Sequence, residues 1–373
     1  MIGGDRIMIN ASVVGQRPTG LGFYALHLIT ALDELGEQLT VLTSRPEVIV
    51  APHAVVRRIT GSGRPEHGRA GHLARLLWSQ SGLRLHTWRD RPRLLLNLMP
   101  EGVLRPRLPQ VTVVHDLLPL LYPSEYPRQQ YYFRHFVPAV LHYSRAIIVI
   151  SESTRRDLLH FYRGVSPDKV HVVLSGYDAR WFPPEVDDVA VGAEPYALYV
   201  GNVMPHKNLL RMVDAFAEAT RRGPGRLVIR GWGKPANVGV VQARIAALDL
   251  WPRVDWQPYA TIRELSRLYQ RAHMLLLPSL HEGFGLTALE AMACGTPVVT
   301  SNTSSLPEVV GDAALFIDPH ETATITEAIV RLFSDDRLGK DLRERGRARA
   351  QLFSWQKTGG AVQRVLHDVL ADS

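Results

Sequence analysis

Short runs of consecutive apolar residues alternate along this chain with longer stretches whose apolar positions recur at helical spacing. That alternation predicts α/β architecture with parallel sheets. In the first half the runs predict strands over 7–14, 39–43, 94–98, 111–115, 146–150 and 170–174. Between the first two, "LGFYALHLITALDEL" reads as an amphipathic helix. The stretch "GYDARWFPPEVDDVAVGAEP", rich in Pro, Asp and Gly, breaks the pattern and reads as a linker. The pattern restarts with strands expected over 196–201, 226–230, 254–256, 274–278, 297–300 and 314–317, and helices between them. Two Rossmann-like halves follow: a first domain over 1–178, a linker over 179–195, a second domain over 196–354 and a closing segment over 355–373. The sequence carries no short-period repeat and no low-complexity segment.

At 373 residues the chain exceeds the size at which one hydrophobic core keeps growing, which agrees with two domains. A hydrophobic content of 46% with 21% charged residues excludes a disordered chain. No apolar run approaches the ~18 residues of a bilayer span. The opening "MIGGDRIMINASVV" enters a strand-like pattern without the parts of a signal peptide. The single cysteine, Cys294, excludes an internal disulfide and fits a reducing compartment, so a cytoplasmic location is expected.

Charge sharpens this picture. The formal net charge is +7; residues 1–178 hold 21 Lys+Arg against 14 Asp+Glu, whereas residues 179–373 hold 22 of each. The excess is densest from Arg57 to Arg107, where eleven arginines face only Glu66, Asp90 and Glu101. A solvated arginine-rich surface is one reading, and a surface that meets something anionic is the other. Nucleic acid fits poorly, because no zinc-finger spacing, RNP-type aromatic motif or helix-turn-helix accompanies the charge. An anionic membrane surface or a lipid phosphate fits better, which would make the protein peripherally membrane-associated.

The densest chemistry lies in "SLHEGFGLTALEAMACGTPVVTSN", which follows the apolar run 274–277. Gly295 and Pro297 close the helix expected over 286–293. Gly283 and Gly285 let the backbone approach a ligand, and the amides at Gly285, Leu286 and Thr287 lie at a helix start, which attracts anions. Glu282 beside it suits sugar hydroxyls rather than phosphate, since like charges repel. Glu290, further along the helix, suits a second pair of hydroxyls. Two hydroxyl acceptors flanking a phosphate cradle describe a sugar–diphosphate–ribose. In "GNVMPHKN", Lys207 precedes the helix expected over 209–219, where the helix dipole disfavours a cation unless an anion such as a leaving diphosphate is present. "VTVVHD" puts His115 at a strand's carboxyl end, where open α/β sheets bind ligands.

Other motifs point elsewhere or nowhere. "TGLGFYA" matches G-x-G-x-x-A, but "GQRPT" separates it from the strand and the second strand ends "LTSR" without a ribose-binding acid. "GWGKP" resembles the end of a phosphate-binding loop, yet Pro235 replaces the required hydroxyl residue. The histidines form no metal spacing and "HEGFG" is not a zinc motif. No Asp-x-Asp occurs, the signature by which a metal ion would hold a diphosphate. Cys294 reads as a packed small residue. Trp232, Trp251 and Trp256 read as core or crevice wall.

In the combination "LYQRAHMLLLPS" with "HEGFGLTALEAMACGTPVVTSNTSSLPEVVGDAALFIDP", the chain resembles glycosyltransferase family 4. The resemblance extends through "RPTGLGFYALHLITAL", "VTVVHDLLPLLYP", "AIIVISESTRRDL", "YVGNVMPHKNLLRMVDAF" and "FSWQKTGGAVQRVL". It implies the GT-B fold, two facing Rossmann-like domains with a central cleft, and a retaining, metal-independent transferase without a cofactor. The substrate would be a nucleotide-sugar donor, GDP-mannose-like from the look of the subfamily. The acceptor would be a glycan or polyprenyl-linked glycan of cell-surface polysaccharide synthesis. By resemblance Glu282 meets the transferred sugar's hydroxyls, Glu290 the ribose, and the amides of Gly283, Phe284, Gly285 and Leu286 the sugar and phosphates. Lys207 holds the diphosphate and His115 sits against the donor sugar. Gly20 and Gly22 form a tight loop over the donor phosphates. The family usually carries a second basic residue near Asn202; an asparagine there removes one countercharge and leaves a hydrogen-bond donor. Closure of the domains would exclude water, and the last segment would cross back onto the first domain. A nucleotide-sugar epimerase or hydrolase of the same fold, and an NAD(P)-dependent oxidoreductase using "TGLGFYA", remain alternatives at this point.

Overall fold

Both sheets are parallel throughout, and their central strands are buried on both faces, which is why they appear in the sequence as unbroken apolar runs. The computed structural model describes residues 6–15, 20–59, 68–183 and 194–372. The expected linker over 179–195 falls largely on 184–193, and "QRPT" on 16–19, outside the described residues. The chain divides into one unit of Met1–Gly176 with Trp355–Ser373 and a second of Tyr177–Ser354.

The first unit holds β1 (Ile7–Asn10), β2 (Leu39–Thr43), β3 (Val55–Arg58), β4 (Leu94–Asn97), β5 (Gln110–Val114), β6 (Ala146–Val149) and β7 (Val170–Val172), in the order β3-β2-β1-β4-β5-β6-β7. The second holds β8 (Tyr196–Val200), β9 (Arg226–Arg230), β10 (Val254–Gln257), β11 (Met274–Leu277), β12 (Val298–Ser301) and β13 (Ala314–Ile317), in the order β10-β9-β8-β11-β12-β13. Each sheet starts in its middle, winds to one edge, then returns to wind to the other. The reversal falls between β1 and β4 and between β8 and β11, so each unit has a crevice beyond the carboxyl ends of those strands.

The predicted helices form with small shifts: Gly20–Glu34, Leu209–Thr220 and Leu286–Cys294. The last helix, Trp355–Ala371, packs on Gly20–Glu34 within the first unit. Gly359 makes the close approach possible, since a Cβ there would lie 2.8 Å from that of Ala31. The Thr358 hydroxyl donates to the Leu174 carbonyl at 2.8 Å. Two expectations change. β1 stops at Asn10, whose Nδ2 donates to the Glu101 carbonyl at 3.2 Å and whose Oδ1 accepts from the Ser12 amide at 3.3 Å, turning the chain. Trp232 and Trp251 are exposed rather than core, while Trp256 is half-buried and donates to the Gly231 carbonyl at 2.9 Å.

Candidate active site

In the second unit the loops after β8, β9 and β11 are laced together at the sheet's reversal point. Asn208 takes a left-handed φ of 64° and donates through Nδ2 to the carbonyls of Pro278 (3.0 Å) and Pro319 (2.7 Å). The Leu280 amide donates to the His206 carbonyl at 2.8 Å. Gly231 and Gly233 of "GWGKP" are packing glycines: a Cβ at either would sit 2.7 Å from the Gly201 or the Val203 carbonyl oxygen.

This lacing brings together two residues 75 positions apart. Lys207 Nζ donates to both carboxylate oxygens of Glu282, at 2.7 Å each, and the Ser279 hydroxyl donates to Glu282 Oε1 at 2.7 Å. Both partners are largely shielded, with side chains 16% and 12% exposed. Burial pushes the Glu282 carboxyl up. The charge and hydrogen bonds of Lys207, together with the Ser279 bond, outweigh it and hold the group below the usual carboxylate range. Glu282 is therefore ionised, and its oxygens keep lone pairs for further donors.

The backbone beside this pair is fixed as tightly. The Glu282 amide donates to Ser304 Oγ at 3.0 Å, and the Ser305 hydroxyl donates to the carbonyls of Glu282 (2.9 Å) and Phe284 (2.8 Å). Phe284 turns its ring inward against Phe353, leaving main chain as the part of this residue suited to a ligand. Gly285 has a φ of 105°, and a Cβ there would meet Leu306 Cδ2 at 2.8 Å, so both conformation and space require glycine. It opens the helix Leu286–Cys294 with no side-chain cap. The first-turn amides of such a helix have no intrahelical acceptor and suit an anion.

One helical turn further, Glu290 accepts from the Tyr269 hydroxyl at 3.1 Å. Burial nevertheless pushes its carboxyl up to about 8, so the group is largely protonated at neutral pH. Burial, followed by the charge of Glu290, pushes the Cys294 thiol up to about 12, and the thiol is inert. Asn202 lies exposed on the same loop as Lys207, its carbonyl accepting from the Tyr199 hydroxyl at 2.8 Å.

His115, directly after β5, belongs to the first unit. Its Nε2–H donates to the Leu98 carbonyl at 3.0 Å, which leaves Nδ1 as an acceptor. Burial lowers its pKa to about 4 against the opposing Leu98 bond, so the ring is a neutral imidazole. Its carbonyl accepts from the Thr154 hydroxyl at 3.2 Å, and the Tyr24 ring meets it edge to face at 4.6 Å. Gly20 and Gly22 do not form a loop: both lie in the first turn of helix Gly20–Glu34. Three side chains escaped the sequence reading. Ser279 carried a signal, standing at the strand end three residues before Glu282; Tyr269 and Ser304 carried none.

Residues 18–181 match the family described as Glycosyltransferase Family 4, and residues 187–349 match Glycosyl transferases group 1. The chain belongs to glycosyltransferase family 4. This family 4 chain is 30% identical to O-antigen chain mannosyltransferase B of Escherichia coli over 261 residues, covering 66% of this chain and 67% of that protein. Sucrose-phosphate synthase from Thermosynechococcus elongatus superposes with a TM-score of 0.81 at 22% identity, over 99% of this chain and 100% of that one. Anabaena HepE, solved with UDP-glucose, gives 0.75 at 16% identity over 97% and 99%. The fold of this glycosyltransferase is GT-B.

Proposed function

We propose that this family 4 glycosyltransferase moves a hexose from a nucleoside-diphosphate hexose to a hydroxyl of a glycan or lipid-linked glycan, with retention of anomeric configuration and without a metal ion. The observation that carries the reading is the shielded Lys207–Glu282 pair beside an uncapped helix start. Lys207 has three N–H donors and uses two on Glu282, which leaves one for a phosphate oxygen. Together with the amides at 285–287 it supplies positive potential where the leaving diphosphate gathers charge. Glu282, ionised and rigid, accepts from hydroxyls of the transferred sugar. Glu290 accepts from the ribose once its proton is lost. In the proposed step the bond from C1 to the phosphate oxygen breaks while the acceptor oxygen bonds C1 on the same face. The acceptor's proton passes to the departing phosphate oxygen, so no protein base is required.

The mannosyl character of the Escherichia coli relative supports a GDP-mannose-like donor and a cell-surface glycan acceptor. The reading is tested by incubating the protein with GDP-mannose, UDP-glucose and candidate glycan acceptors in EDTA and taking the proton NMR spectrum of the product. Transfer that persists with the donor's anomeric configuration supports the reading. An inverted product or loss of transfer in EDTA rejects the mechanism. Release of free sugar regardless of acceptor makes the protein a hydrolase.

A further inference from the structure

In the second unit Tyr269 is fully buried on helix Ile262–Arg271, where the Phe182 ring meets it edge to face at 5.8 Å. A buried phenol costs free energy unless its hydroxyl finds a partner, and packing alone would be served by phenylalanine. Here the hydroxyl donates to Glu290 Oε2 at 3.1 Å.

Tyr269 is itself tied down. A capping box opens its helix, the Thr261 amide donating to Glu264 Oε2 at 2.7 Å and the Glu264 amide to Thr261 Oγ1 at 3.2 Å. The Tyr269 carbonyl accepts from the Thr296 hydroxyl. Thr296 follows Gly295, the left-handed residue that ends helix Leu286–Cys294, and its amide donates to the Ala291 carbonyl at 2.8 Å. Tyr269 therefore holds the helix that carries Glu290 twice: by its main chain at the helix end and by its hydroxyl at the carboxyl. Rotation of one helix against the other would break one of these bonds.

Glu290 spends one oxygen on this contact, and Oε1 has no partner among the described residues. An untethered glutamate gives up rotamer freedom each time it binds a ligand, whereas one already held does not. The Tyr269 bond also favours the ionised carboxyl against burial, and that is the form in which both oxygens accept from hydroxyls.

We propose that Tyr269 is a positioning residue: it fixes one oxygen of Glu290 so that the carboxylate grips the donor's ribose, and the pair selects nucleotides that carry ribose hydroxyls. The inference rests on the reading of Glu290 as the ribose acceptor. The test is calorimetric titration of GDP and UDP, each against its 2′,3′-dideoxy counterpart, above pH 8, where the Glu290 carboxyl is ionised. The parent should bind the ribo form about 10–100-fold more tightly, because the dideoxy form leaves the carboxylate unpaired. Tyr269→Phe should weaken the ribo form about three- to tenfold and leave the dideoxy form within about twofold. Thr296→Val loosens Tyr269 through its main chain and spares the hydroxyl, so it should narrow the discrimination by a smaller factor. Glu290→Ala should erase the discrimination, and adding Tyr269→Phe to it should change neither affinity further, since the tyrosine acts through the carboxyl. Equal weakening of both nucleotides in Tyr269→Phe would make the residue a packing element and overturn the proposal. Discrimination undiminished in Tyr269→Phe and Thr296→Val but erased in Glu290→Ala would overturn it too, with the ribose reading intact. Absence of discrimination in the parent, or its survival in Glu290→Ala, would reject the ribose reading and the proposal with it.

Discussion

Glu282→Gln keeps the shape of the side chain and removes its charge. At 2.7 Å, and with an effective dielectric near 20, the gross attraction between Lys207 and Glu282 is about 6 kcal/mol, against which the desolvation of both groups works. Removing one partner of so shielded a pair should destabilise the fold by ~3–5 kcal/mol. On the proposed reading the same change removes an ionised acceptor of sugar hydroxyls, which should lower kcat/KM by ~2–4 kcal/mol, or roughly thirty- to a thousand-fold. Binding of the bare nucleoside diphosphate should move the other way. Lys207, released from its carboxylate, can give all three donors to phosphate, so the diphosphate should bind as tightly as to the parent or more tightly. Steady-state transfer kinetics and calorimetric titration of the diphosphate on the same preparation read both quantities. Turnover within threefold of the parent, or diphosphate affinity falling in parallel with turnover, would refute the assigned division between Lys207 and Glu282.

Three further outcomes follow from single residues. The folded carboxyl of Glu290, pushed up to about 8, lies above its unfolded value, so the folded state holds the extra proton. Its share of stability is therefore full below the unfolded pKa and lost as pH rises toward about 8, by up to ~5 kcal/mol. Glu290→Gln should flatten the fall in melting temperature over that window, and should abolish the rise in donor kcat/KM through about pH 8. Gly285→Ala forces a Cβ into a left-handed backbone and against Leu306; melting should drop by the equivalent of ~1–3 kcal/mol and the donor KM should rise, as thermal melts and kinetics will read. His115, lowered to about 4, should leave no ionisation near the usual histidine range in the pH–rate profile, and NMR titration of its ring should place it near 4.

Fold class was legible because buried parallel strands announce themselves as apolar runs: "LLLN", "AIIV" and "MLLL" are buried at every position. β3 was not, because "VVRR" is a partly exposed edge strand and its sequence looks like surface. The glycine-flanked loop and its two glutamates could be read from local chemistry, since helix starts and glycine conformations are set within a few residues. The Lys207–Glu282 pair could not: their meeting depends on β8 lying beside β11, a strand order that periodicity does not report. Glu290's raised pKa was equally hidden, because it comes from tertiary burial beside Tyr269 rather than from its neighbours along the helix.

A crystal of the protein soaked with a nucleoside-diphosphate hexose tests the arrangement most directly. The diphosphate should lie within hydrogen-bond distance of Lys207 Nζ and the amides at 285–287, with sugar hydroxyls on Glu282 and no density for a bridging cation. A diphosphate lodged elsewhere, or held through a divalent ion while Lys207 and Glu282 stay bonded only to each other, would contradict it.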